Sequence, residues 1–66
     1  MTGEEFRELR VRKHITQMKL GEMLGYKGRS AECVVQSWEY GRRPIPMKHF
    51  RKLSEILGVP LERFIP

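Results

Sequence analysis

Residues 16–41, TQMKLGEMLGYKGRSAECVVQSWEYG, decide the fold of this chain. Thr16 has the chemistry of a helix N-cap, since its hydroxyl can accept a hydrogen bond from a free backbone N–H. Leu20 and Leu24 lie one turn apart on one face. The pattern therefore predicts a helix over 17–24, which the following glycine is suited to end.

A second helix is predicted over 30–40, with Ser30 as its N-cap and a glycine after its last residue. Val35 and Trp38 form its inner face at a spacing of three, so Trp38 is interpreted as a core residue. The outer face carries small and polar side chains that could hydrogen-bond base-pair edges. These are Glu32, Cys33, Gln36 and Ser37.

Gly21 stands inside the first of these two helices, where glycine costs up to about 1 kcal/mol relative to alanine. The absence of a side chain allows another helix to approach closely. We therefore expect a tight helix crossing at this position.

The chain before this stretch predicts a helix over 2–13. Thr2 and Glu5 have the spacing of a capping box. Arg10 falls beside Leu9 at the edge of the apolar face, where an unpaired charge would be costly. A carboxylate partner for Arg10 is therefore expected elsewhere in the chain.

The chain after the stretch predicts helices over 47–57 and 60–64. Pro44 and Pro46 prevent the preceding helix from continuing. Pro60 suits the first turn of the last helix, in which Phe64 is expected to close the core. No period-two alternation predicts a strand. The expected fold is all-α, a compact five-helix domain.

The net charge of the chain indicates the class of molecule that it binds. The 66 residues include 13 Lys and Arg against 8 Asp and Glu, a formal net charge of +5. Such an excess on a short chain favours a polyanion partner, although a merely basic surface is the alternative. No apolar run approaches the roughly 20 residues that a membrane span needs. The single cysteine excludes an internal disulfide and suits a reducing cytoplasm.

Catalytic and metal chemistry find no support in the residue pattern. There is no nucleophile–base pair and no pair of carboxylates suited to a pocket. His14, His49 and Cys33 lack zinc-ligand spacing. No cation is firmly placed to activate Cys33 as a redox sensor. The sequence predicts neither an enzyme nor a metal or cofactor.

From Thr16 and Gln17 onward, the chain resembles the helix-turn-helix family of phage repressors and Cro proteins, the XRE family. The resemblance spans nearly the whole chain, and its strength lies in the ordered set of matches rather than in any one. The matching residues are Phe6, Leu9 and Arg10, then Thr16, Gln17, Leu20, Gly21 and Leu24, then Val35, Trp38, Glu39 and Gly41, and finally Leu53, Leu57, Gly58, Val59 and Phe64.

The resemblance implies a structural ion pair between Arg10 and Glu39, which would supply the carboxylate that Arg10 requires. It also reveals a departure. Between Gly25 and Glu39 the chain has several residues more than the usual spacing, and residues 27–30 are the additional ones. The longer turn either provides an additional contact with a DNA backbone phosphate, or it lengthens the helix predicted over 30–40 and changes its tilt.

Family positions imply base contacts by Glu32, Cys33 and Ser37, with Gln36 beside them. Gln suits adenine and Glu suits cytosine. A recognition helix over 30–40 contains no Arg or Lys, which argues against strong reading of guanine. The alternative for each residue is ordinary exposed surface. Phosphate contacts are expected from Gln17, Lys27, Arg29, Ser30, Tyr40, Arg42 and Arg43.

The function implied is that of a sequence-specific DNA-binding transcriptional regulator, most simply a repressor, formed by residues 1–66 as one domain. A chain this small reads few base pairs, so a homodimer on a palindromic operator is expected, with half-sites about 34 Å apart. Phe64 and Ile65 are candidates for the dimer contact, or equally for the core. The alternative is an antitoxin or another protein-interaction module with a toxin partner. The expected location is the cytoplasm, on the nucleoid of a prokaryote or phage host.

Overall fold

The computed structural model describes residues 1–65, and these form four α-helices and two short 3₁₀ helices without any strand. The α-helices are α1 (Gly3–Arg12), α2 (Gln17–Met23), α3 (Gly28–Glu39) and α4 (Phe50–Leu57), and the 3₁₀ helices are Met47–His49 and Leu61–Arg63. The prediction of an all-α fold is confirmed, but with four α-helices rather than five. Within residues 1–65 no helix is both long enough and apolar enough to cross a membrane.

Local capping signals set the starts of α1 and α2. The Glu5 N–H donates to Thr2 Oγ1 at 3.1 Å, and the Thr2 N–H donates to Glu5 Oε1 at 3.0 Å. This confirms the predicted capping box, and the hydrogen bond from the Thr2 N–H holds the pKa of the Glu5 carboxyl below its usual value. At α2, the Lys19 N–H donates to Thr16 Oγ1 at 3.0 Å, as the N-cap prediction required.

The start of α3 corrects the sequence prediction. The helix begins at Gly28, and the extended residue before it, Lys27, makes no side-chain capping hydrogen bond. Ser30 is therefore not the N-cap but a residue of the first helical turn. Gly28 explains the difference, because its φ of +56° is a left-handed conformation that glycine adopts readily, and it turns the chain into the helix two residues before Ser30.

The last two predicted helices are also corrected. The segment over 47–57 starts as a 3₁₀ turn and becomes α-helical only at Phe50. The predicted helix over 60–64 is a single 3₁₀ turn, in which the Arg63 N–H donates to the Pro60 carbonyl at 3.0 Å. The Phe64 N–H likewise donates to the Leu61 carbonyl at 3.0 Å, so the hydrogen bonds here span three residues, as in a 3₁₀ turn, and the segment delivers Phe64 to the core.

One apolar core joins the helices. Trp38 is only 3% exposed and packs edge-on against Phe6, with ring centroids 6.0 Å apart, so its interpretation as a core residue is confirmed. Phe64 is buried and stacks on Phe50 at 5.5 Å. Ile65, which was open to either role, is 53% exposed and lies outside the core. The buried cluster consists of Phe6, Leu20, Val35, Trp38, Leu53, Leu57 and Phe64.

The crossing of α2 and α3 depends on Gly21. A Cβ atom added at Gly21 would lie 2.6 Å from Ala31 Cβ and 2.7 Å from its carbonyl carbon. Real Cβ atoms do not approach so closely, so only glycine permits this separation of the helices. The expected close approach is confirmed, and it sets the distance between α2 and α3 at their crossing.

A partly buried polar contact also joins the turn before α3 to the start of α4. Tyr26 Oη and His49 Nε2 are 2.9 Å apart, and both rings contact the Trp38 ring. Burial lowers the pKa of His49, with a smaller effect from the positive charge of Lys48. His49 is therefore held in its neutral form at pH 7, which suits a hydrogen bond with the phenol.

We expect Gly21→Ala to destabilise the fold. Alanine gains up to about 1 kcal/mol in helix propensity. Overpacking against Ala31 costs about 1–3 kcal/mol, so a net loss of about 1 kcal/mol should appear in urea unfolding. The matched control is Glu22→Ala on the exposed side of α2, which should change stability by less than about 0.5 kcal/mol. A Gly21→Ala variant more stable than the parent would contradict the packing argument.

Candidate nucleic-acid interface

The exposed face of α3 is a continuous stripe of long or polar side chains. Arg29, Cys33, Gln36 and Tyr40 succeed one another at intervals of four, three and four residues, and all four are exposed. This spacing places them on one side of the helix. The opposite side of α3 consists of its buried residues, Ala31, Val35, Trp38 and Glu39.

The four predicted base-reading residues divide into two pairs. Cys33 and Gln36 lie within the exposed stripe, whereas Glu32 and Ser37 are half-buried at its margins. The Ser37 hydroxyl donates to the Val34 carbonyl at 2.7 Å, so its proton is engaged within the helix and its oxygen remains an acceptor. Cys33 and Gln36 are therefore the most accessible of the four.

Cations lie at both ends of this stripe. Lys27 and Arg29 are exposed at the start of α3, and Arg42 and Arg43 are exposed just after its end. The Arg42 guanidinium lies 5.6 Å from the centroid of the Tyr40 ring, a cation–π distance. The structure thus brings six of the seven predicted phosphate-contacting residues to the ends of α3, and these are Lys27, Arg29, Ser30, Tyr40, Arg42 and Arg43.

The loop after α3 has a defined backbone. Gly41 has a φ of +73°, in the left-handed region, and the Arg42 N–H donates back to the Ser37 carbonyl at 2.9 Å. The Arg43 N–H reaches the same carbonyl at 3.4 Å. Both arginine backbones are therefore fixed relative to the exposed stripe.

The start of α3 is suited to an anion. Neither an acidic side chain nor a capping side chain occupies its first turn. Free N–H groups and the positive end of the helix dipole favour a negative group there. The cations of Lys27 and Arg29 strengthen the same preference.

Gln17 occupies a different position from the other predicted contacts. Its side-chain amide is half-buried and donates to Glu39 Oε1 at 3.0 Å. Sequence reasoning missed this bond, because Gln17 was assigned from the family position of the first residue of α2. The amide thus tethers the start of α2 to the end of α3.

Glu39 is the centre of a buried polar network. Arg10 Nε donates to Glu39 Oε2 at 2.5 Å, and a second guanidinium nitrogen reaches Oε1 at 3.3 Å. The remaining nitrogen, Nη1, donates to the Ile15 carbonyl at 2.8 Å. The side chains are 10% and 2% exposed. The predicted Arg10–Glu39 pair is confirmed, and it joins α1 to α3.

The N-terminus of α1 meets the C-terminus of α3, a contact that sequence reasoning missed. A Cβ atom at Gly3 would lie 2.8 Å from both the Glu39 carbonyl carbon and the Trp38 carbonyl oxygen. The one signal in the sequence was a glycine at position 3, inside the segment predicted as a helix.

Metal binding has no geometric basis in the part of the chain that the structure describes. No three His, Cys, Asp or Glu side chains there lie together in a way that could hold a metal ion. Cys33 is exposed on α3, and His49 is engaged with Tyr26. The chemistry open to the exposed face of α3 and its flanking loops is hydrogen bonding and the neutralisation of anions.

The arrangement is that of a helix-turn-helix. The seven-residue α2 supports a longer α3 through a short connection, and α3 presents a polar face flanked by cations. A helix-turn-helix family model matches residues 6–64. The chain therefore belongs to the XRE-type helix-turn-helix family, whose members are DNA-binding regulators. Comparisons with curated proteins and with solved structures found no significant match.

We expect Glu39→Ala to lower the free energy of unfolding by roughly 3–5 kcal/mol, because it leaves the Arg10 guanidinium buried without its carboxylate. Urea unfolding followed by circular dichroism measures this. Replacing both partners with apolar residues, Arg10→Met with Glu39→Leu, should recover much of the loss.

The matched control is the exposed Arg63–Glu5 ion pair, whose side chains are both 47% exposed and 3.3 Å apart. Arg63→Ala should cost less than about 1 kcal/mol. Equal losses in Arg63→Ala and Glu39→Ala would show that the Arg10–Glu39 pair is not effectively buried.

Proposed function

We propose that this protein is a sequence-specific, DNA-binding transcriptional regulator that acts as a repressor, with α3 as the recognition helix in the major groove. The observation that carries the proposal is the exposed stripe of α3 with cations at both ends. A major groove about 12 Å wide admits one helix. Such a helix needs hydrogen-bonding groups along its outer face and positive charge where it meets each phosphate backbone.

Within this proposal, the side chains of α3 divide by position. Cys33 and Gln36 face the base edges from the middle of the stripe, and Glu32 and Ser37 contribute from its margins. Gln36 suits adenine N6 and N7. Lys27 and Ser30 grip phosphate at one end, and Tyr40, Arg42 and Arg43 at the other. Gln17 adds a phosphate contact with whichever amide hydrogen its bond to Glu39 leaves free.

The dimer proposal is supported by an apolar groove beside the loop after α3. The groove has a volume of about 860 Å³, and its lining includes Ile45, Met47, Phe50, Leu61, Phe64 and Ile65. Met47 is 81% exposed and Ile65 is 53% exposed. We propose that a second copy covers this groove in a homodimer on a palindromic operator. Each single domain, residues 1–66, would then read one half-site.

A second candidate function is that of an antitoxin, and the same groove is the observation that favours it. In that case the apolar surface would bind a toxin, and DNA binding would be secondary or absent. Both candidates place the protein in the cytoplasm, and the repressor would be bound to the nucleoid of a prokaryote or phage host.

The two candidates are separated by selecting binding sites from a random pool of duplex DNA. A repressor should enrich one palindromic sequence with half-site centres about 34 Å apart. Affinity for that sequence should fall steeply with added salt, because phosphate contacts release counterions. Undetectable binding to duplex DNA at low salt would overturn the repressor proposal and favour the antitoxin.

Arg42→Ala and Gln36→Ala should affect DNA binding in different ways. Removing the Arg42 cation should weaken binding to every sequence alike and flatten the dependence of log K on log salt by about one. Removing the Gln36 amide should reduce discrimination at one base pair, by about 1–3 kcal/mol. Fluorescence anisotropy on the selected operator and its single-base variants, over a salt series, measures both.

Arg7→Ala serves as the control for these variants, because it removes an exposed cation from α1, outside α3 and its flanking loops. It should leave both the base preference and most of the salt dependence intact. The assigned division of roles would be wrong if Gln36→Ala and Arg42→Ala weakened all sequences equally with no change of preference.

Met47→Glu and Ile65→Glu should each reduce self-association, because a charge in the groove would have to be buried in the dimer. Sedimentation equilibrium should show a shift towards monomer, and the full palindrome should lose most of its affinity advantage over an isolated half-site. Val11→Glu, at a position 50% exposed on α1, is the matched control. A parent protein that stays monomeric at high concentration and on the palindrome would exclude the dimer.

A further inference from the structure

The additional residues between α2 and α3 belong mostly to the recognition helix. α2 ends at Met23 and α3 begins at Gly28, so the connection itself is short. Of residues 27–30, which the resemblance to the family left unmatched, only Lys27 lies outside α3. The longer spacing therefore extends α3 at its N-terminal end by nearly one turn.

Arg29 is the long side chain of this extension. It stands four residues before Cys33 and seven before Gln36, so it lies on the same exposed stripe as both. Within residues 1–65 the ion pairs are Arg10–Glu39 and Arg63–Glu5, and neither engages Arg29. Its guanidinium is therefore available to a ligand that approaches the stripe.

We propose that Arg29, which the sequence predicted as a phosphate contact, instead reads a guanine in the operator through the major groove. This rests on the proposed function and adds a specificity-determining residue to it. The planar guanidinium donates two parallel hydrogen bonds that match guanine O6 and N7. The predicted helix over 30–40 lacked any cation, so guanine reading looked unfavourable. The observed start at Gly28 removes that objection.

Lys27 and Arg29 therefore have different roles although both are cations near the start of α3. Lys27 is extended and precedes the helix, so it does not belong to the stripe. It is suited to a phosphate at the edge of the groove. Arg29 lies on the face proposed to meet the bases, and its position is about 6 Å along the helix axis from that of Cys33. Its guanine should lie within about two base-pair steps of the position set by Cys33, at about 3.4 Å a step.

The test compares binding-site selection from a random duplex pool for the parent protein and for Arg29→Ala, Arg29→Gln and Lys27→Ala. Affinities for the selected operator and its single-base variants then give the discrimination at each position. Circular dichroism and urea unfolding check that each variant folds, which is expected because both side chains are exposed.

The parent should select a G·C pair at one position of each half-site. Arg29→Ala should lose about 10- to 100-fold of discrimination at that position and keep the preferences elsewhere. Arg29→Gln should move the preference there towards adenine, since Gln matches adenine N6 and N7. Lys27→Ala should weaken all sequences alike.

Two results would overturn the inference, and they are distinguishable. If the parent selects an operator but Arg29→Ala only lowers affinity for all sequences equally, Arg29 is a phosphate contact and the proposed function stands. If the parent selects no sequence from the pool, the inference fails together with the proposed function.

Discussion

The carboxylate of Glu39 is the contact on which the arrangement of the first three helices depends. It accepts hydrogen bonds from Arg10 of α1 and from Gln17 at the start of α2, and it belongs to the end of α3. A buried ion pair of this kind adds little net stability over an apolar replacement, because desolvation offsets the attraction. Its role is geometric: it fixes the C-terminal end of α3 relative to both preceding helices.

The other end of α3 is positioned by packing instead of charge. Gly21 lets Ala31 approach the backbone of α2, and the Tyr26–His49 contact ties the connection before α3 to the start of α4. With its two ends held by different physical means, α3 has little freedom to rotate about its axis. A fixed rotation is what a readout helix requires, because a change of about 100° would replace each exposed side chain by its neighbour.

Sequence reasoning succeeded where a local rule or a forced pairing decided the outcome. The capping residues Thr2 and Thr16 act within one turn, and a buried Arg10 must find a carboxylate. It failed where a backbone conformation open to glycine prevailed over a capping preference. Ser30 is a good N-cap, yet the left-handed Gly28 turns the chain into the helix two residues earlier. Nothing in the sequence before Ser30 signalled this, since Lys27 and Gly28 offer no capping side chain.

That single error changed the chemistry assigned to the surface. A helix over 30–40 presents no cation to DNA, whereas a helix from Gly28 includes Arg29 in its exposed stripe. A shift of less than one turn in the start of α3 changes which side chains can read bases. Helix ends are also the part of a helix that is assigned least exactly. The buried face tolerates such an error, because Val35 and Trp38 keep their inward positions in either case. The exposed face does not, because each added turn brings another side chain to the groove.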